Sequence, residues 1–484
     1  MDQKSLREKT VKGIGWSAAD AFLGQGVSFL VGLVLARLLS PSEYGLIGIC
    51  TIFVTVLTGI VDSGFSNALI RKNDVTSEDY NTMFITNMVI SISLYLGLYY
   101  CAPIIAVFFK KEELVQLVRY MGLILFFQAL SITQVTILTK RIDFKTKTKA
   151  SLIAAVCSGV IGISMALCGY GVWALVGQHL SKQLLYTLCL WSFNTWKPSF
   201  CFSLHSFKNM WGFGWKLMLS GLLNNTWNHL YQIVVGKFYS PSTLGQYSRA
   251  REYAHIFSSN FTAIVQRVSF PVLAEVQDDK IKMVAGYRRI IKATMFVTVI
   301  CLVSLGAVSE PLIYCLIGPK WHQAASFMPL ICLSLSLHPL HAINLNMLQV
   351  QGRSDIYLGL EIVKKIISIA PLCLGIFIGI YWMLVGSIVL GLISFFLNSY
   401  YTGKALNYSS WMQLKDVAPS YCVGFCIAIS VYFLKYLPFS PFIVLPIQVV
   451  VGTAVLIIVC ERMQLSEYFE LKNILHSYVI RFFS

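Results

Sequence analysis

Apolar runs of about 20 residues recur from one end of the chain to the other, and a helix of that length crosses a hydrocarbon layer roughly 30 Å thick. The pattern predicts fourteen spans, at 15–39, 44–70, 82–109, 114–138, 150–169, 172–193, 213–238, 244–274, 288–317, 324–350, 356–379, 382–402, 417–436 and 441–461. The loops between them are short, the longest being the polar stretch from Asn194 to Phe207, so no soluble catalytic domain fits anywhere. The expected fold is an all-α polytopic membrane protein.

A polar side chain inside a span is costly, so polar residues recurring at helical spacing mark a face that meets water or protein. The eighth span carries the clearest such line: Arg251, His255, Ser258, Thr262, Gln266 and Ser269 step by three or four, with Glu252 and Ser259 beside them and Arg249 and Arg267 near the two ends. The seventh holds Lys216, Ser220, Asn224, Asn225, Asn228, His229 and Gln232, the second Thr51, Thr55, Thr58 and Asp62, and the first Ser17, Asp20, Gln25 and Ser28. In the eleventh span Glu361 and Lys365 are spaced to pair with each other at i,i+4, which leaves Lys364 as a further cation. Three bland readings compete: Ser and Thr serve as packing glue between membrane helices, Arg249 and Arg267 snorkel to the interfaces, and Arg251 and Glu252 neutralise each other or their neighbours. Several spans contain Pro (Pro103, Pro271, Pro311, Pro329, Pro339 and Pro371), the residue that kinks helices.

The chain also repeats itself. Ser40-Pro41-Ser42 with Gly45 follows the first span, and Ser240-Pro241-Ser242 with Gly245 follows the seventh. Gly15-Trp16 and Gly214-Trp215 open those two spans, while Trp173-Ala174-Leu175-Val176-Gly177 at the sixth returns as Trp382-Met383-Leu384-Val385-Gly386 at the twelfth. Three matches in one order predict a duplicated six-span unit, residues 1–208 and 209–408, followed by two added spans and a tail in 409–484. Six is even, so the copies enter the membrane in the same direction. In transporters built from parallel repeats the substrate site lies between the copies. The first two helices of each copy would then face a central cavity, cationic on the second copy's side.

Composition agrees with a membrane protein. Charged residues are 12% of the 484 and hydrophobic residues 56%, against roughly 25% charged in soluble proteins. The net charge of +16 does not require nucleic acid. The N-terminus and even-numbered loops hold 21 Lys and Arg, the odd-numbered loops only Arg37, Lys110, Lys111, Lys237, Lys320 and Lys435, and that bias places both termini in the cytoplasm. The charged strip from Met1 to Lys12 has no cleavage site after the first apolar run, so the first helix is expected to be retained. The 13 cysteines fall mostly in apolar runs with no CxxC, and His338 and His341 share a face without a carboxylate, so neither metal nor cofactor is expected. No Walker A motif is present. A carboxylate-lined cavity would suit cationic drugs, and Asp20 and Asp62 keep that alternative open; a membrane enzyme of glycan assembly ranks lower for want of a large loop.

The run Ala36-Arg37-Leu38-Leu39-Ser40-Pro41-Ser42-Glu43-Tyr44-Gly45-Leu46, followed by Asp62-Ser63-Gly64-Phe65-Ser66-Asn67-Ala68-Leu69-Ile70-Arg71, resembles the start of Wzx-type polysaccharide exporters, in the colanic-acid branch of the multidrug/oligosaccharidyl-lipid/polysaccharide superfamily. The resemblance implies two six-helix lobes around a central cavity with two extra helices, and a flippase of undecaprenyl-diphosphate-linked oligosaccharides in the bacterial inner membrane. It leaves a coupling H+ or Na+ and a polysaccharide polymerase open as partners. For such a cargo, Arg249, Arg251 and Arg267 with Lys216 and Lys364 would meet the diphosphate. Glu252, His255, Gln266, Asn224, Asn228 and His229, with aromatic faces at Trp227, Tyr231 and Tyr247, would line the same cavity for the sugars.

Overall fold

A computed structural model describes residues 23–275, 279–351 and 353–473. Gly15-Trp16, Ser17 and Asp20 of the first span lie outside the described residues. Every element longer than a turn is helical among those described: α1 Gln25–Leu38, α2 Pro41–Asp62, α3 Phe65–Arg71, α4 Ser77–Phe109, α5 Leu114–Lys140, α6 Phe144–Leu167, α7 Val172–Phe193, α8 Leu204–Phe238, α9 Pro241–Glu275, α10 Lys280–Ala307, α11 Ser309–Ile317, α12 His322–Ser336, α13 His338–Val350, α14 Ser354–Ile367, α15 Ile369–Phe377, α16 Ile380–Leu406, α17 Ser410–Tyr432 and α18 Pro441–Met463. Nine helical stretches among the described residues are long and apolar enough to cross a membrane. The protein is an all-α, multi-pass membrane protein.

Four expected spans are broken. The second becomes α2 and α3, split where Ser63 and Gly64 take φ of 50° and 71°. The ninth breaks at Val308, the tenth at Leu337 and the eleventh at Ser368, two or three residues before Pro311, Pro339 and Pro371. A proline there removes a backbone donor and clashes with the preceding turn.

By contacts the chain forms two compact units, Met1–Gly245 and Gln246–Ser484, dividing within the first turn of α9. In the first unit α8 packs on α2, α3 and α4, and α7 packs on α5 and α6. The repeated Ser-Pro-Ser turns have a physical reason. Ser40 caps α2 in a capping box with Glu43, Ser240 Oγ accepts from the backbone N–H of Thr243 at 3.1 Å, and Pro41 and Pro241 take the first helical position, where no N–H is needed. The two turns meet, because a Cβ on Gly45 would stand 1.8 Å from the Pro241 carbonyl oxygen and one on Gly245 would stand 1.9 Å from that of Pro41. Gly214, the repeat residue of α8, likewise lies against the Ser63-Gly64 turn.

In the second unit the core joins α10, α13, α16 and α17 around Tyr287, Met295, Ile343, Phe395 and Tyr408. It includes a buried polar knot: Tyr287 Oη and Thr402 Oγ1 both donate to Asn344 Oδ1 at 2.8 Å, and Asn344 Nδ2 donates to Gln413 Oε1 at 3.2 Å. Of the two added helices, α17 is bound directly to α10, through Arg288 and Asp416 at 2.8 and 2.9 Å.

Candidate functional site

Among the described residues, three long helices are less apolar than the nine candidate spans: α7, α8 and α9. A membrane helix of that kind turns its polar face to protein or to water, and part of the α9 line meets protein. Ser258 is buried and donates to the Leu335 carbonyl at 3.1 Å, Ser269 is buried and accepts from Asn346 Nδ2 at 3.1 Å, and Thr262 bonds back to the Ser258 carbonyl at 2.7 Å. Those hydroxyls are the glue between α9 and the helices α12 and α13. At the head of α9, Gln246 clamps the start of α12, donating to Lys320 O at 2.7 Å and accepting from Ala324 N at 2.9 Å. His255 and Gln266, from the same line, remain exposed, and Arg251 is half-buried. The Arg267 side chain lies outside the described residues.

Of the two ways in which Glu252 was expected to be neutralised, the structure has the neighbour: it pairs with Arg249, at 2.7 Å; adjacent residues point about 100° apart on a helix, whereas i and i+3 share a face. Glu361 likewise takes Lys364, at i,i+3, instead of Lys365. Arg249 and Lys364 therefore arrive already charge-compensated, and less of the cationic character rests on them than the sequence suggests. Around His338 the second unit gathers several bases. His341 lies with its ring centroid 6.4 Å away, and His255, Arg251 and Lys364 are all within electrostatic reach. Arg251 and His255 come from α9, the histidine pair from α13 and Lys364 from α14. The histidine pair has no carboxylate beside it in sequence; what distinguishes it is the company of cationic side chains.

In the first unit Lys216, Asn224 and Asn228 lie exposed along α8, and His229 Nδ1 bonds Gln232 Oε1 at 2.5 Å. Asp62 is occupied at the α2–α3 break, where it accepts from the Ser66 backbone N–H at 3.3 Å and from the Ser66 hydroxyl. A carboxylate so placed caps α3. One intraspan cation lies outside the expected set, Lys182 in the middle of α7, where Gln178, His179, Ser181 and Gln183 also break the apolar run.

A separate cavity of about 850 Å³ opens in the second unit between α11, α12, α17 and α18, lined by Glu310, Tyr314, His322, Phe425 and Lys435 among others. None of the expected site residues line it.

Residues 34–326 match the family model for polysaccharide biosynthesis proteins. The chain belongs to that family. Among relatives, it is similar to the succinoglycan biosynthesis transport protein ExoT of Rhizobium meliloti, 26% identical over 68% of this chain and 67% of that one. It is 22% identical to the lipopolysaccharide biosynthesis protein WzxC of Escherichia coli, over 77% of this chain and 76% of that one. The fold of this family member matches that of the lipid II flippase MurJ in an inward closed conformation, with a TM-score of 0.70 at 14% identity, covering 94% of this chain and 98% of that one.

Proposed function

We propose that this protein is a flippase that moves undecaprenyl-diphosphate-linked oligosaccharides from the cytoplasmic to the outer leaflet of the bacterial inner membrane by alternating access. Membership of the polysaccharide biosynthesis family carries the reading, and relatives named for polysaccharide transport support it. A cargo with a polyprenyl tail, a diphosphate and sugars calls for cations, amides and hydroxyls in a membrane protein otherwise made for lipid. The groups that fit are Arg251, His255 and Gln266 on α9 and Lys216, Asn224 and Asn228 on α8. A cation exporter would call instead for free carboxylates, and Asp62 is spent as a helix cap. Transport rather than catalysis is the role, and a coupling H+ or Na+ and a polysaccharide polymerase are partners it admits. Deleting the gene should remove surface polysaccharide and leave lipid-linked oligosaccharide on the inner leaflet; unchanged polysaccharide would refute the reading.

Both termini are placed in the cytoplasm by the Lys/Arg bias, which puts the two Ser-Pro-Ser turns outside. Their mutual contact at Gly45 and Gly245 supports a common side. In a cysteine-free background, Ser42→Cys and Ser242→Cys should both react with a membrane-impermeant maleimide in intact cells. Labelling of one from outside and the other only after permeabilisation would overturn the parallel arrangement.

The hydrogen bond from Asn346 to Ser269 gives a smaller expected effect. Asn346→Ala should lower the melting temperature of the detergent-purified protein by the equivalent of about 1 kcal/mol, the usual worth of such a bond between membrane helices. An unchanged melting curve would show that α9 is held to α13 by other contacts.

A further inference from the structure

Lys182 is the eleventh of the 22 residues of α7, so about 15 Å of helix separates it from either end, more than the side chain spans by snorkelling. It is half-buried. Its ammonium donates to Ser28 Oγ on α1 at 3.0 Å, and among the described residues no carboxylate pairs with it. The polar residues beside it have structural employment. Gln183 Nε2 donates to Ser131 Oγ at 3.2 Å, Thr187 and Trp191 donate to carbonyls of α5 at 3.0 and 2.9 Å, and Gln178 packs against Gly162 of α6. Lys182 points the other way, to α1. A serine hydroxyl does not compensate a positive charge, and an ionisable side chain within a membrane span is by default a functional group whose partner must be named.

We propose that Lys182, held by Ser28, is an anion-contacting residue of the first unit, binding a negatively charged group of the lipid-linked oligosaccharide. This rests on the flippase reading. Two groups on such a cargo have the required chemistry, the carrier's diphosphate and a carboxylate on an acidic sugar. Both are anionic oxygens for an ammonium donor, and the experiment separates them.

Full-length wild type, Lys182→Met, Lys182→Arg and Ser28→Ala would be compared for surface polysaccharide in a deletion strain, protein level, melting temperature in detergent, and farnesyl diphosphate affinity by tryptophan fluorescence. Lys182→Met should accumulate normally and melt no lower than wild type, because it removes a costly charge. Export should nevertheless fall by about tenfold or more, the size of one lost charge-assisted contact. Lys182→Arg should keep a substantial part of it, and Ser28→Ala should lie between. If farnesyl diphosphate binding weakens alongside export, the diphosphate is the anion; if export falls while that affinity holds, the anion is on the glycan. Wild-type export by Lys182→Met overturns the proposal. So does a lower melting temperature with export lost only in proportion to protein, since Lys182 would then be a tie between α1 and α7. Failure of the flippase reading looks different: the wild-type chain itself would not restore polysaccharide to the deletion strain.

Discussion

Arg251→Gln is expected to bring surface polysaccharide in a complemented deletion strain down to background while the protein still accumulates in the membrane. A guanidinium within a span costs at least about 2.5 kcal/mol near the bilayer centre, and α9 keeps this one half-buried beside His338. Loss of one partner from a desolvated charge contact costs about 2–5 kcal/mol, at least about thirtyfold in binding. Lysine should rescue only in part, because it retains the charge without the bidentate fork. Glu252→Gln supplies the contrast. Its carboxylate holds Arg249, not Arg251, with the glutamate side chain 53% exposed, and such a pair is worth about 0–1 kcal/mol. Export at wild-type level from Arg251→Gln would remove that residue from the site and leave the α9 line as packing.

The second large effect is on assembly. Gly45→Ala puts a methyl group where the Pro241 carbonyl oxygen already stands, and Gly245→Ala does the same against Pro41. Neither obstacle is a side-chain end that could swing aside, so the backbone must move, at a cost above the about 1–3 kcal/mol typical of overpacking. Each variant should accumulate poorly in the membrane and melt well below wild type. The double variant should be less than additive, since both methyl groups strain one contact. Gly97→Ala on α4 is the control, because an added Cβ there meets nothing within 4 Å. Normal levels of Gly45→Ala would mean that the two turns do not bear on one another as the structure has them.

Helix after helix could be read from hydropathy because lipid enforces one simple rule, that backbone groups be satisfied within the segment. The positions where the reading failed are those where a second rule intrudes. Pro311, Pro339 and Pro371 interrupt stretches that are apolar on both sides, and hydropathy is blind to a missing N–H. The Asp62-Ser63-Gly64 break escapes it too, because hydropathy is equally blind to the positive φ of Ser63 and Gly64. The polar line on α9 was legible as a line, but its division into glue (Ser258, Ser269) and exposed groups (His255, Gln266) depends on which neighbour lies opposite, which a single helix cannot reveal. Pairing choices were lost at finer grain still: Glu252 with Arg249 and Glu361 with Lys364 are settled by rotamers a turn apart. Lys182 is hard to see in the sequence because the run around it reads as one more span.

The meeting of the Ser-Pro-Ser turns has a consequence for how the chain can vary. Gly45 faces the Pro241 carbonyl and Gly245 faces that of Pro41, so the contact has the reciprocal form of residue i on j and j on i. Each glycine therefore answers to the opposite turn as well as to its own helix, and sequence drift at one turn is tolerated only as far as the other backbone leaves room.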